Sequence, residues 1–453
     1  MSEASVAPTT PAPADLVIRD AVVLAWDETR GIHFLPGHDV VVRGGLIDAV
    51  QPTGTAVAAL EVIEAHGMVA MPGLINCHAH SPMVLFRGVA EDVNEERWFN
   101  EFIWPMEVNL TEPDIELGAR LAASEMISTG TTTFADHYFG MDAIARSTEE
   151  TGLRALLGLT YFSSDGPAGL ERGLDFAERW AGRGDGRITA ALAPHAPYTV
   201  GHDDLVATAR AAVEHELPIH IHASESRSQT RHSLDREGVT PIEVLRRAGL
   251  FDARVLIAHG IGIVPEDLPT LAGARVGVGS AAKGYLKHGT DTTPVRVLRD
   301  AGVPVGLATD GAASNNTSDL WETMTFFALV QKAVERDQSF LTAREVLEHA
   351  TIQSARAIGR EHDLGRIAPG FRADLLLVDL TGPRTQPVHD LAATLVYSAH
   401  SDDIDTTIVD GRVLMRGRRL LTVDVAALTA EIAPRLPRLT DRSHGRSIQD
   451  YDA

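Results

Sequence analysis

The stretch Met71-Pro72-Gly73-Leu74-Ile75-Asn76-Cys77-His78-Ala79-His80 ends an apolar run on two histidines that are one residue apart. In a β-strand, successive side chains point to opposite faces, so His78 and His80 share one face and Cys77 points to the other. Imidazole is the commonest metal ligand in proteins, and two imidazoles on one face can bind the same ion. Because an isolated His-x-His pair is usually structural, its interpretation depends on the strands that follow.

Three further apolar runs also end on residue types that can bind a metal ion. The run Pro218–Ala223 carries His222, and the run Val255–His259 ends on a histidine. The run Val305–Asp310 ends on a carboxylate. Buried parallel strands show this pattern when their last residues emerge at the open end of a sheet. Each histidine alone is better explained as a core or loop residue, but four such strand ends in one chain are difficult to attribute to chance.

Strands and helices alternate through the middle of the chain, which indicates a parallel α/β architecture. Eight candidate strands are present, the number that closes a (β/α)8 TIM-like barrel. A doubly wound open sheet is the alternative fold, but polar ends on the first, fifth, sixth and eighth strands converge only if the sheet closes. Helical periodicity is clearest at 114–128, 204–216 and 320–335. The candidate strands are Leu74–His80, Thr131–Asp136, Arg154–Thr160, Ile188–Pro194, Ile219–Ala223, Val255–His259, Ala274–Val278 and Val305–Thr309.

Short strands separated by Gly, Asp and Pro turns precede and follow this middle region. We predict that the two terminal parts combine into one small β-sandwich domain beside the barrel. The predicted boundaries are a disordered N-terminus at 1–14, the first part of the sandwich at 15–70, the metal-dependent barrel at 71–368, the second part of the sandwich with a C-terminal helix at 369–433, and a tail or arm at 434–453.

The chain of 453 residues carries a net charge of -22 and has a pI near 5.2. This acidic balance argues against a nucleic-acid-binding surface, which would be basic. Cys77 is the only cysteine, so neither an intrachain disulfide nor a Pro-Cys-x-x-Cys zinc site can form. The N-terminus lacks the features of a signal peptide, and no stretch reaches the roughly 18 apolar residues of a membrane helix. We therefore expect a cytoplasmic protein without nucleic-acid or membrane partners.

Five stretches of the chain resemble the amidohydrolase superfamily, and specifically its branch of S-adenosylhomocysteine and methylthioadenosine deaminases and triazine hydrolases. The resemblance extends over nearly the whole chain and implies an enzyme that acts on a small molecule and binds one divalent metal ion. Zinc is the first choice for this ion and iron is the alternative. We also expect a homo-oligomer, either a dimer or a tetramer. The implied ligands are His78, His80, His222 and Asp310, and the stretches are Met71–Asp92, Ala193–Tyr198, His222–Glu225, Thr309–Asn316 and Leu364–Leu375.

The same resemblance implies a hydrolytic reaction at an electron-poor ring carbon that bears an amino group. Metal-activated water attacks this carbon, and Asp310 takes the proton from the water. Glu225 acts as the general acid/base toward the ring nitrogen and the departing ammonia. His259 orients the attacking group. The alternative for Glu225 is a loop carboxylate that is hydrogen-bonded to Ser226 or Arg227.

Four residues are predicted from the resemblance to contact the substrate, namely Trp98, Glu107, Leu159 and His195. Glu107 matches a glutamate that binds ribose hydroxyls in nucleoside deaminases; its alternative role is a helix cap or a surface charge. Leu159 stands where deaminases of S-adenosylhomocysteine carry an arginine, so a carboxylated substrate would lose its bidentate partner. The loop at 277–287 also departs from the family pattern, which changes the wall of the pocket.

Three functions therefore compete. The first is a metal-dependent aminohydrolase for an adenine-type nucleoside or a related aminated N-heterocycle. The second is hydrolysis of a triazine-like ring with release of chloride or alkylamine, or deamination of a free base such as guanine or a pterin. The third is a catalytically silent protein that holds a metal ion, which the complete ligand set and Glu225 disfavour.

Overall fold

The computed structural model describes residues 12–451 of the chain. Residues 1–11 of the segment predicted to be disordered therefore lie outside the described residues. The last residue of that segment, Ala14, belongs instead to the first strand, where it pairs with Ala59 and is fully buried. Regular structure thus begins one residue before the predicted start of the β-sandwich.

The strands of the described residues form two separate sheets. We number the strands in chain order. They are β1 Ala14–Asp27, β2 Gly31–Arg43, β3 Leu46–Pro52, β4 Ala59–Glu64, β5 Met68–Pro72, β6 Leu74–His80, β7 Thr131–Tyr138, β8 Arg154–Tyr161, β9 Ile188–Pro194, β10 Ile219–Ala223, β11 Val255–His259, β12 Val276–Ser280, β13 Val305–Leu307, β14 Asp310–Gly311, β15 Leu375–Asp379, β16 Ile404–Val409, β17 Arg412–Arg416 and β18 Arg419–Leu420.

Strands β6 to β14 form a parallel sheet in which neighbours along the chain are mostly neighbours in space. The sheet closes because β14 pairs with β6, with Asp310 opposite Ala79 and Gly311 opposite His80. The middle of the chain is therefore a (β/α)8 barrel, as predicted, and not a doubly wound open sheet. Four of the strands have the predicted bounds; β7 and β8 extend further, and β12 lies two residues later than predicted.

The eighth barrel strand is interrupted, which the sequence pattern did not predict. The expected strand Val305–Thr309 is present only as β13, and pairing resumes at β14. The side chain of Asn76 spans this gap. Its Oδ1 accepts a hydrogen bond from the backbone N–H of Thr309 at 3.0 Å, and its Nδ2 donates to Thr309 Oγ1 at 2.7 Å. These hydrogen bonds replace the missing backbone ladder and leave Asp310 at the open end of the barrel.

Helices connect most of the barrel strands. The helix Leu320–Glu335 has the predicted bounds, whereas Glu112–Ser128 begins two residues early because Thr111 and Asp114 form a capping box. The helix His202–Glu214 begins and ends two residues before the predicted span. None of the helices within residues 12–451 combines the length and the apolar character that a membrane span requires. The other α-helices of five or more described residues are Met141–Thr151, Pro167–Trp180, Arg227–Glu237, Pro241–Arg247, Leu268–Ala272, Ala282–His288, Val295–Asp300, Ala343–Glu348 and Val425–Ile432.

The second sheet combines strands from both terminal parts of the chain, as predicted, in the order β18-β17-β16-β15-β5-β1-β2-β3 with β4 against β1. Strand β1 shifts register near Asp20, whose φ of 58° lies in the left-handed region. Its first half pairs with β4 and its second half with β5. Side chains from both halves, including Ile18 and Val23, share one buried core with Leu377. The small domain is thus one continuous sheet that bends over its own core.

Arg154 joins the small domain to the barrel. It begins β8 at the N-terminal end of the barrel, and its side chain is fully buried. The guanidinium group forms ion pairs with Asp374 at 2.7 Å and with Asp410 at 3.1 Å. Since a buried charge is tolerated when it is paired and hydrogen-bonded, this cluster holds the barrel against the returning strands of the small domain.

Candidate active site

The carboxyl ends of β6, β10, β11 and β14 meet at one end of the barrel and place five side chains around a common space, namely His78, His80, His222, His259 and Asp310. His259 and Asp310 have φ values of 75° and 62°, and Ser224, directly after β10, has a φ of 51°. Residues other than glycine adopt this left-handed conformation rarely, and such strain concentrates at functional sites.

The potential ligand atoms of these side chains lie close together. The Nε2 atoms of His78 and His80 are 3.6 and 3.3 Å from Asp310 Oδ1. The Nε2 atoms of His80 and His222 are 3.4 Å apart. Within each of two groups, His78 with His80 and His222, and His78 with His259 and Asp310, all ligand atoms lie within 4.8 Å of one another. The two groups overlap at His78, so these side chains could hold a metal ion.

Hydrogen bonds orient the imidazoles toward this space. Nδ1 of His80 donates to the carbonyl of His137 at 2.6 Å, and Nδ1 of His222 donates to the carbonyl of His195 at 2.8 Å. Each Nε2 then presents its lone pair to the common space, as in metal-binding histidines. Nε2 of His78 is buried without a hydrogen-bond partner among the described residues, and burial lowers the pKa of this imidazole to about 3. A neutral imidazole with an unused lone pair fits a divalent metal ion.

His220 and Cys77 lie beside the site without joining it. His220 is one layer deeper on β10, and its Nε2 lies 2.9 Å from Nδ1 of His78, so it orients that ring. The thiol of Cys77 points to the other face of β6 and donates to the carbonyl of Ser354 at 3.6 Å. Burial raises the pKa of this thiol to about 12. Cys77 is therefore a packing residue, as the strand alternation predicts.

Glu225 follows β10 and lines the pocket beside the five-residue cluster. Two reciprocal hydrogen bonds fix it to Gln229: its N–H donates to Gln229 Oε1 at 2.8 Å, and Gln229 Nε2 donates to its Oε1 at 3.0 Å. The carboxyl group thus bonds to Gln229 and not to Ser226 or Arg227. Burial and, secondly, the charge of Glu95 raise the pKa of Glu225 to about 8. A carboxyl group whose pKa is raised in this way can act as a proton donor near neutral pH.

A pocket adjoins the cluster, and aromatic, histidine and carboxylic side chains form most of its wall. Its wall contains four carboxyl groups, from Glu95, Glu107, Glu225 and Asp310. Of the described residues that line it, none is a lysine or an arginine. The pocket therefore favours hydrogen-bond donors and neutral or cationic groups over anions.

Glu107 lies in the wall of this pocket, and not on the surface. The Tyr138 hydroxyl donates to its Oε1, while its Oε2 is buried and has no partner within the described part of the chain. Burial raises the pKa of Glu107 to about 7. The indole N–H of Trp98 lines the same pocket and is also buried and unpaired. One acceptor and one donor are therefore available to a ligand on this side.

His195 lines the pocket where it was predicted to do so, with its ring 4.9 Å from that of His222. Leu159 does not: it packs against the hydrophobic core and is absent from the pocket wall. Thr160 and Phe162 line the pocket in its place. The cause is the strand alternation, because Leu159 points away from the barrel axis when Thr160 points toward it.

Other residues of the site were not predicted individually. The hydroxyl of Tyr285 lies 3.3 Å from Nδ1 of His259, and the hydroxyl of Ser314 donates to Asp310 Oδ2 at 2.8 Å. Tyr285 belongs to the segment at 277–287 that departs from the family pattern. This segment was predicted as a loop, but it consists mainly of the end of β12 and the helix Ala282–His288. Ser314 belongs to a family-like stretch. Both segments were recognised as unusual or family-like, but a linear pattern does not show which of their side chains points inward.

A closed barrel with imidazoles and a carboxylate at its strand ends, beside a glutamate in a pocket, is typical of a metal-dependent hydrolase of small molecules. The chain belongs to the amidohydrolase family, whose model matches residues 69–414.

Similar proteins support the same assignment. A 5-methylthioadenosine/S-adenosylhomocysteine deaminase of Desulforudis audaxviator is 44% identical over 414 residues, which cover 90% of this chain and 95% of that protein. The structure of an adenosine deaminase from Xanthomonas campestris with bound zinc is 32% identical, with a TM-score of 0.90 over 95% of this chain and 99% of that one. An atrazine chlorohydrolase from Arthrobacter aurescens, complexed with zinc, is 26% identical, with a TM-score of 0.85 over 93% and 100% of the two chains. The predicted branch of the superfamily is confirmed.

Proposed function

We propose that the protein is a metal-dependent aminohydrolase that deaminates an adenine-type nucleoside and releases ammonia. The observation that carries this proposal is the position of Glu225, whose carboxyl group is held by Gln229 in the pocket wall beside the imidazole–carboxylate cluster. Deamination of an aminated ring requires a proton at the ring nitrogen, whereas hydrolysis of a cyclic carbonyl compound needs no donor at that point. The similarity to proteins named as deaminases of methylthioadenosine, S-adenosylhomocysteine and adenosine supports the same reaction.

We propose zinc as the ion, because three imidazoles and one carboxylate suit it and two similar structures contain it. When it is bound, the ion lowers the pKa of water toward about 7 and so provides a nucleophile at neutral pH. The residues that would hold it are His78, His80, His222 and Asp310.

The protein's own residues supply orientation and proton transfer. Asp310, held at Oδ2 by the hydroxyl of Ser314, accepts a proton from the attacking water at its other oxygen. His259 directs the nucleophile toward the ring carbon, and the Tyr285 hydroxyl lies at its Nδ1. Glu225 donates its proton to the neighbouring ring nitrogen. The proton that Asp310 took from the water then passes to the amino group, which leaves as ammonia, while the Glu225 carboxylate takes the hydroxyl proton of the attacked carbon as the ring carbonyl forms.

The charge of the pocket favours a nucleoside without a carboxylate. No lysine or arginine lines the described pocket wall, so an amino-acid carboxylate on the substrate would have no bidentate partner. The unpaired Oε2 of Glu107 can accept a hydrogen bond from a ribose hydroxyl. We therefore expect adenosine, 5′-deoxyadenosine and methylthioadenosine to be better substrates than S-adenosylhomocysteine.

Ammonia release by the metal-loaded enzyme tests this proposal. The substrates compared are these nucleosides, S-adenosylhomocysteine, guanine, a pterin, and aminated and halogenated triazines. Chloride release is measured for the halogenated triazines. Replacing Glu107 with alanine should lower kcat/KM by about 10–100-fold for nucleosides and less for free bases, because the ribose loses its hydrogen-bond partner. The exposed Glu96→Ala is the matched control. Turnover that is highest with free bases or triazines, together with a neutral Glu107→Ala, would contradict the nucleoside assignment.

We also propose that the protein is cytoplasmic and forms a homo-oligomer. A single cysteine, buried and unpaired, suits a reducing compartment. Light scattering on the purified enzyme tests the oligomer, and a mass equal to the 48.7 kDa of one chain would contradict it.

A further inference from the structure

The last described residues pack against the segment that forms one wall of the pocket. We call residues 440–451 the C-terminal arm and residues 95–107 the lid segment. The lid segment consists of two short α-helical turns joined by the π-helix Trp98–Ile103. Its pocket-lining residues are Glu95, Trp98, Phe99, Trp104 and Glu107.

The arm starts from a fixed point. Leu439, directly before it, is fully buried at the end of the helix Leu436–Leu439. The side-chain amide of Asn109 donates to the carbonyl of Leu439 at 3.2 Å and to that of Asp441 at 2.7 Å. Arg438 forms an ion pair of 2.6 Å with the buried Asp114. The start of the arm is therefore attached just beyond the C-terminal end of the lid segment.

The far end of the arm is attached to the middle of the lid segment through Tyr451. The side-chain amide of Asn100 bonds to both backbone groups of this residue: Oδ1 accepts from the Tyr451 N–H at 2.8 Å, and Nδ2 donates to its carbonyl at 2.9 Å. The Tyr451 ring stacks on Phe99, with centroids 4.7 Å apart and an interplanar angle of 13°. Tyr451 is buried although it lies at the end of the described chain.

A second attachment lies between these two points. The guanidinium group of Arg442 lies 4.2 Å from the centroid of the Phe102 ring and donates to the carbonyl of Glu101. The arm thus contacts both lid residues that follow Asn100 as well as Phe99 before it. Terminal segments are usually poorly ordered unless such contacts attach them, and here four consecutive lid residues contact the arm.

Tyr451 also connects the lid to the opposite wall of the pocket. Its ring makes edge contacts with Trp104 at 6.3 Å and with Tyr198 at 5.8 Å. Tyr198 in turn contacts His195, a predicted substrate residue. Tyr451 therefore lies behind the pocket wall, where it joins lid residues to the loop after β9.

We propose that Tyr451 is a positioning residue of the active site, and that the C-terminal arm is a strap that holds the lid segment in its pocket-forming position. This inference rests on the proposed function, since it assumes that the pocket binds the substrate. The strap orders the lid before the substrate arrives, so binding does not have to supply the ordering entropy. Loss of the strap should weaken substrate binding more than it slows the chemical step, because the metal ligands and Glu225 lie on the barrel.

The kinetic test compares Tyr451→Ala, Tyr451→Phe and Asp450→Ala in the full-length, metal-loaded enzyme with methylthioadenosine. Tyr451→Ala should raise KM by about 10–100-fold, since a misplaced pocket wall costs about this factor, and kcat should change by less than about threefold. Tyr451→Phe keeps the ring and should restore most of the affinity. Asp450→Ala, an exposed neighbour, should behave as the unsubstituted enzyme. Equal kinetic constants for Tyr451→Ala and the unsubstituted enzyme would overturn the proposal.

Hydrogen exchange on the substrate-free protein provides a second, independent measurement. Amides of residues 95–107 should exchange faster in Tyr451→Ala and in Asn100→Ala, with the barrel strands unchanged. In the variant that carries both substitutions, these amides should exchange little faster than in either single variant, because both substitutions break the same contact. Unchanged amide exchange of the lid segment in both single variants would overturn the proposal that the arm holds this segment in position. Absence of turnover with every nucleoside, combined with faster lid exchange, would refute the proposed function and leave the strap standing.

Discussion

Two buried polar clusters lie at opposite ends of the barrel, and their groups are paired in different ways. At the N-terminal end, the guanidinium of Arg154 makes three charge-assisted hydrogen bonds to Asp374 and Asp410, and only its Nη1 has no partner within the described chain. At the C-terminal end, Nε2 of His78 and Oε2 of Glu107 are buried without described partners. Leaving a buried polar group unpaired costs stability, and an unpaired group at a functional site is one recognised reason for such a cost. The paired cluster joins the barrel to the small domain, whereas the second cluster is the one at which we propose that metal and substrate bind.

The largest effect, on bound metal and turnover, is expected from His222→Ala, with Asp310→Ala as a second variant. Each removes a ligand and should reduce bound metal from about one ion per chain to little or none, with loss of turnover. Elemental analysis of the purified variants measures this. Full metal content in both variants would show that the C-terminal cluster is structural as well.

Glu225→Gln should lower turnover by about 10²–10⁴-fold while metal content and folding are retained, because the amide keeps the shape but cannot donate the proton. Burial raises the pKa of Glu225 to about 8, so the active, protonated form is lost as the pH rises through that value. Activity should therefore fall on the alkaline side of about pH 8. Turnover by Glu225→Gln close to that of the unsubstituted enzyme would assign the acid/base role to another group.

Arg154→Met tests the paired cluster. Removing the cation leaves Asp374 and Asp410 buried without their partner and should lower the free energy of unfolding by about 3–5 kcal/mol. Denaturant unfolding measures the change, and Arg19→Ala, which breaks a solvent-exposed pair with Glu64, is the control. The metal content per folded chain should not change. A stability loss as small as that of the control would mean that this cluster does not hold the two domains together.

The smallest effect is expected from Cys77→Ser. Its side chain points away from the metal ligands and bonds to the carbonyl of Ser354, which a hydroxyl group can also do. Metal content and turnover should be retained, as measured by elemental analysis and ammonia release. A loss of metal would show that the two faces of β6 are not independent.

Much of the metal site could be predicted from the sequence because its signal is local. The alternation on β6 separates His78 and His80 from Cys77, and this depends on neighbouring residues along one strand. Polar residues at the ends of successive parallel strands must meet at one edge once the sheet closes. The eight-stranded barrel, the shared small domain and the position of Glu225 beside the cluster therefore followed from linear patterns and from the family resemblance.

The remaining features depend on contacts between residues that are far apart in the sequence. The interruption of the eighth strand is stabilised by Asn76 on the first, and no pattern within 305–310 reveals it. Thr160 and Phe162 rather than Leu159 line the pocket, because closure of the barrel decides which of the two alternating faces of β8 points inward. Tyr451 reaches Phe99 across more than 350 positions of the chain. Sequence periodicity determines which faces are buried, but only tertiary packing decides which distant surface each face meets.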